Sequence, residues 1–65
     1  MAKASIKRIA SGEYELSNGV RTVRISYFSH LRGWIAAASW DRALYTDRCD
    51  TKRDAVVNAR LMLGM

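Results

Sequence analysis

Polar and apolar residues alternate with a period of two through the middle of the chain and with a helical period at its end. Successive side chains of a strand point to opposite faces. Within residues 20–28, Val23, Ile25 and Tyr27 therefore share one face, and Thr22, Arg24 and Ser26 the other. One face is core and one is wet. Residues 12–17 precede this strand across the dipeptide Asn18-Gly19. Asn-Gly tolerates positive φ at both central positions, so the pair predicts a two-residue type I′ turn and a β-hairpin. Ahead of it, residues 5–10 (Ser-Ile-Lys-Arg-Ile-Ala) contain β-branched residues but alternate imperfectly. They read as a weak strand or an extended lead-in.

Residues 29–33 interrupt the alternation and end in Gly33, which predicts a loop into a third strand over residues 34–39. There Trp34, Ala36 and Ala38 lie on one face, and Ile35, Ala37 and Ser39 on the other. The small alanines would let a helix lie close to the sheet. A turn around Trp40-Asp41-Arg42 leads to a fourth, short strand over residues 43–49. Thr51 then starts a helix: its hydroxyl is available to a free backbone N–H, and Asp54 stands where a capping box places Glu or Gln. Ala55, Val56, Ala59, Met62 and Leu63 make one apolar stripe, and Gly64 follows as a stop signal. The prediction is an α+β fold, a three- to four-stranded antiparallel β-meander packed on one C-terminal α-helix (β-β-β-α). Residues 1–65 form a single domain, with residues 1–4 frayed.

Composition changes this picture in three ways. The chain has 65 residues, 49% of them hydrophobic and 26% charged, enough for one core and too apolar for an extended disordered segment. No apolar run approaches the roughly 20 residues of a membrane span, and none follows Lys3 to make a signal peptide. A cytoplasmic protein with no membrane partner is expected. Cys49 is the only cysteine, so it is read as a small buried hydrophobe, with no internal disulfide and no thiolate cluster for zinc.

Eleven Lys and Arg against six Asp and Glu give a formal net charge of +5, and arginine dominates. The planar guanidinium suits phosphates and guanine edges, which points to nucleic acid, and to DNA ahead of RNA. Lys52 and Arg53 fall in the first helical turn, where the helix dipole disfavours cations by a few tenths of a kcal/mol. They are candidates for an anion contact or, more plainly, solvated residues.

Chemistry for catalysis is missing from the sequence. His30 is the only histidine, which leaves no triad and no two-histidine metal site. Glu13 and Glu15 share a strand face and are read as cross-strand partners of Arg21 or Arg24. The four glycines form no phosphate-binding fingerprint. No catalytic, cofactor-binding or metal-ligating residue is expected, and the protein is read as not an enzyme.

The segments Gly33-Trp34-Ile35-Ala36 and Cys49-Asp50-Thr51-Lys52-Arg53-Asp54-Ala55 resemble the three-stranded sheet plus helix of the arm-site-binding domains of phage tyrosine integrases and related plant transcription-factor domains. The likeness spans residues 20–61. It implies that the sheet face away from the helix enters the DNA major groove. Arg24, Ser39, Arg21 and Arg48 would then face DNA, with Trp34, Ala36, Ala38 and Cys49 on the helix side. Ile35 and Ala37 make that face more apolar than the family pattern, the hairpin loop differs, and no catalytic domain follows. The helix sequence from Thr51 to Ala59 also resembles that of small HicB-like antitoxins, whose partner is a protein toxin.

Two functions follow. The first is a small basic DNA-binding or accessory protein, in keeping with a phage origin, that uses Arg21, Arg24, Ser39, Arg48, Lys52 and Arg53. The second is a protein-binding module, an inhibitor or antitoxin-like partner or a homodimer, that buries Ile35, Ala37 and Trp40. RNA stacking on Trp40 or Tyr45 is a further reading. Whether Arg24 and Ile35 share one exposed surface bears on the choice.

Overall fold

A computed structural model describes residues 5–64. Its elements are β1 (Ser5–Ala10), β2 (Glu13–Ser17), β3 (Thr22–Phe28), β4 (Gly33–Ala38) and α1 (Lys52–Met62). The strands form one sheet in the order β1-β2-β3-β4, each antiparallel to its neighbour, and α1 packs on one side of it. The meander and C-terminal helix are those the hydrophobic pattern predicts. The expectation for residues 1–4 falls outside the described residues. No helix of the described residues is long and apolar enough to cross a membrane.

Residues 5–10 form a full strand. Ile6 pairs with Leu16, Lys7 with Glu15 and Arg8 with Tyr14 before the register shifts between Arg8 and Ala10. That irregularity is why the alternation looked imperfect, since a bulge displaces one residue from the two-residue period.

The β2–β3 hairpin is closed by a different turn from the one Asn18-Gly19 predicts. Ser17 pairs with Thr22, so residues 18–21 form a four-residue loop. Gly19 has φ +89, whereas Asn18 is not at positive φ and instead accepts N–H bonds from Val20 and Arg21 through its Oδ1, at 2.9 and 2.8 Å. The physical reason lies in the pairing. A two-residue loop would set Leu16 opposite Arg21 and Glu15 opposite Thr22. The longer loop slides the register by two residues, so Leu16 meets Val23, Tyr14 meets Ile25 and Glu15 meets Arg24. A two-residue slide keeps every side chain on its face while improving its partner.

Leu16, Val23 and Ile25 are the large side chains fully buried between sheet and helix. Each contributes on the order of 1.5–3 kcal/mol by leaving water. Ala36 on the sheet and Ala55 and Ala59 on the helix are also completely buried, and these small residues bring the two layers together. Val56, Met62, Leu63, Trp34 and Trp40 pack around them. Thr51 caps α1, its Oγ1 accepting from the Asp54 N–H at 3.2 Å. Gly64, at φ +78, follows the last turn.

The fourth strand expected over residues 43–49 is instead a strap along the outer edge of β4. The Ala38 N–H donates to Leu44 O, the Thr46 N–H to Ala36 O, and Trp34 and Cys49 exchange both bonds at 2.8 Å. Only Ala37–Tyr45 and Trp34–Cys49 are bridged. Three steps along β4 face four along the strap, so an unbroken ladder is geometrically excluded. The Thr46 hydroxyl fills the gap by accepting from the Ala36 N–H at 3.0 Å. Cys49 is buried and in no disulfide, with Asn58 Nδ2 3.4 Å from its Sγ.

Candidate nucleic-acid interface

Strand parity places Lys7, Glu13, Glu15, Thr22, Arg24, Ser26, Phe28, Ile35 and Ala37 on the sheet face away from α1. Arg24 points outward and is exposed; Ile35 lies on the same face and is half-buried. They do share a surface. Its charges cancel, however: the Arg24 guanidinium stands 3.9 Å from the Glu15 carboxylate, and Lys7 lies opposite Glu15 on the other side. Glu13 adds a second negative charge beside Ser26. Two carboxylates on the central strands repel phosphate as strongly as Lys7 and Arg24 attract it. The β4 half of the face is apolar, with Phe28, Ile35, Ala37 and the bridged, largely exposed Tyr45.

The six residues expected to face nucleic acid are not brought together. Arg21 lies at the β2–β3 end, its guanidinium 4.9 Å from the Trp40 ring centroid. Trp40 is thereby half-buried on the core rather than part of the outer apolar strip with Ile35 and Ala37, a correction to its expected interface role. Ser39 is exposed at the same end, its N–H donating to Thr22 O. Arg48 belongs to the opposite end and is committed internally. Its Nε donates to Leu31 O at 2.7 Å, one Nη to Arg32 O at 2.8 Å, and the other Nη to the Asp50 carboxylate at 2.6 Å. Arg32 has φ +50, and this left-handed turn leaves the loop carbonyls for Arg48 to collect. Arg48 is a loop clamp rather than a groove contact. Lys52 and Arg53 begin α1 at that end, Arg53 exposed and Lys52 half-buried.

A second cluster stands on the helix side of the sheet beside the start of α1, with Tyr14 and Trp34 half-buried against the core. The helix packs on β2, β3 and β4 and makes no contact with β1. Beside its first turn, Trp34 lies between Tyr14 and Tyr27, with ring centroids 6.1 and 5.3 Å away and tilted planes. Tyr27 is 45% exposed. The Lys52 ammonium sits 4.1 Å from the Tyr14 ring centroid, and exposed Arg8 is directly opposite Tyr14 on β1. Among the described residues the ion pairs are those of Arg24 and Arg48, so neither Lys52 nor Arg8 has a carboxylate partner. Glu13 and Glu15 face the other side of the sheet. Sequence reasoning put Tyr27 and Trp34 on the core face but missed Arg8, Tyr14, Tyr27 and Trp34 as a site. Parity gives the face of each residue; it does not give how far along that face the helix reaches.

A shallow groove between the strap and α1, lined by Arg48, Asp50, Asp54, Val57 and Asn58, carries two carboxylates and no aromatic ring, which fits neither bases nor phosphate. Among the described residues no three His, Cys, Asp or Glu side chains are placed to hold a metal ion. Comparison with family models, with curated proteins and with solved structures finds no match to this chain.

Proposed function

We propose that the protein is a non-enzymatic, cytoplasmic nucleic-acid-binding module that takes a single strand on the helix side of its sheet. The observation that supports this reading is the cluster of Tyr14, Tyr27 and Trp34 beside Arg8 and Lys52, two cations without carboxylate partners among the described residues. Unpaired bases stack on aromatic faces for about 1–3 kcal/mol each, and flanking cations track the phosphates. A duplex hides its base faces and needs a protruding element to enter a groove. The outer sheet face is the element the integrase resemblance would use, and Glu13 and Glu15 weaken it for that purpose.

Titration of a thymidine oligonucleotide at low salt tests the proposal, followed by Trp34 fluorescence in a Trp40→Phe background. Quenching is expected, with Tyr27→Ala and Lys52→Gln each weakening affinity about tenfold. Arg24→Gln should change it less than twofold. A matching RNA strand and a duplex are the comparison arms. No detectable binding to any of the three would end the nucleic-acid reading, and tight duplex binding abolished by Arg24→Gln would return the site to the outer face.

One observation favours a second reading, the apolar strip of Phe28, Ile35, Ala37 and Tyr45 on that outer face. A protein partner, antitoxin-like or a second copy, would cover it. An unchanged sedimentation coefficient between dilute and concentrated wild-type protein, and between wild type and Ile35→Lys, would exclude the second copy.

A further inference from the structure

The sheet has two edges, and they are treated differently. Along β4 the strap of residues 44–49 consumes the outward backbone groups. Along β1 all six residues are exposed, Ile6 and Ile9 by 46% and 41%, and among the described residues neither another strand nor α1 lies against this edge.

The ladder itself identifies which β1 backbone groups face outward. Tyr27 N–H bonds to Gly12 O, and Asn18 N–H to Arg21 O. Hydrogen-bonded pairs alternate along an antiparallel ladder. The even-numbered residues of β2 therefore bond to β3, and Glu15 and Ser17 bond to β1. Their partners are Lys7 and Ser5. The N–H and C=O of Ile6 and Arg8 are left pointing away from the sheet.

We infer that this edge accepts an extended, acidic segment of a partner protein as a fifth strand. The charge on β1 selects the occupant. Lys7 projects on the outer side and Arg8 on the helix side, and the strand carries no acid. Glu15, the nearest carboxylate opposite Lys7, is also engaged by Arg24. Adjacent acids on the incoming strand meet both cations, one on each face, and an apolar neighbour meets Ile6. A second copy paired about either cation of β1 is disfavoured. Antiparallel pairing centred on Lys7 or on Arg8 sets that cation against itself, and like charges directly opposite destabilise a pair. Strand addition of this kind takes affinity from main-chain bonds and specificity from alternate side chains.

The test uses the isotopically labelled protein and a capped peptide, Thr-Val-Glu-Glu-Val-Thr, which reads alike in both directions. In the free protein, the Ile6 and Arg8 amides should exchange with solvent at least tenfold faster than that of Lys7. Saturating peptide should slow Ile6 and Arg8 about tenfold or more, with chemical-shift changes confined to β1 and its β2 neighbours. A peptide with lysine for both glutamates should do nothing. Ile6→Pro removes an outward N–H and no β1–β2 bond, and should abolish binding, whereas Ile6→Val should retain it. An unaltered Lys7 exchange rate in Ile6→Pro would show that β1 is still in place. Lys7→Glu with Arg8→Glu should reverse the preference between the two peptides. Protection of Ile6 and Arg8 before any peptide is added, equal binding of both peptides, or absence of binding overturns the inference.

Discussion

Arg24 and Arg48 count alike in any tally of charge, yet one lies on a neutralised face and the other ties a loop together. Arg48 gathers two carbonyl oxygens, Leu31 and Arg32, that the left-handed turn at Arg32 turns toward it, and braces itself on Asp50. Each such bond is worth about 0.5–1.5 kcal/mol net. Arg48→Ala should lower the unfolding free energy by about 1–2 kcal/mol in urea titrations while changing oligonucleotide affinity less than twofold. Neither role was legible in the chain. Arg24's outward direction followed from strand parity, but its neutralisation needed the register that puts Glu15 opposite it. Arg48's role depended on one residue adopting a backbone conformation that nothing in its side chain advertises. The same holds for Trp40, whose place under Arg21 depends on where the β2–β3 loop ends.

Elements with a strong local signal formed as their patterns predict. The Thr51 cap, the Ala55–Ala59 stripe and the alternation along β3 each need only neighbours within a turn or a strand. Thr51→Ala should cost about 1 kcal/mol by freeing the Asp54 N–H, read as a lower thermal midpoint. The turn and the strap were less legible because each is decided by a partner distant in sequence: Val23 chooses the hairpin register, and the step mismatch against β4 breaks the fourth ladder. Thr46 makes that strap work. Thr46→Val keeps the shape and removes the acceptor, leaving the Ala36 N–H unsatisfied. A loss of about 1–3 kcal/mol is expected, with faster amide exchange at Ala36 as its signature. Gly33 explains the strap's close approach, since an added Cβ there would lie 2.9 Å from Cys49 O and closer still to the Arg48 side chain.

At the scale of the molecule, a formal charge of +5 is spread over both sheet faces, both ends and the helix rather than gathered in one patch. That distribution makes a quantitative difference to nucleic-acid binding. Two phosphate contacts, from Arg8 and Lys52, give a slope of about −1.4 in a plot of log affinity against log salt for a single strand. The five basic residues predicted to grip a duplex, Arg21, Arg24, Arg48, Lys52 and Arg53, would give about −4.5. A measured slope nearer the steeper value would contradict the arrangement described for the helix-side cluster. The candidate site was legible only in its ingredients, an excess of arginine and aromatics of core parity. Their meeting across the sheet is a property of where an eleven-residue helix begins.

The sealed β4 border also limits how copies of this protein can accumulate. Indefinite edge-to-edge growth, as in a fibre, requires every unit to offer two complementary sides. A chain closed along one flank by its own residues 44–49 supplies only one. Whatever joins it there completes the structure rather than propagating it. Loosening the strap should therefore do more to promote fibrous aggregates than an equal loss of stability in the core.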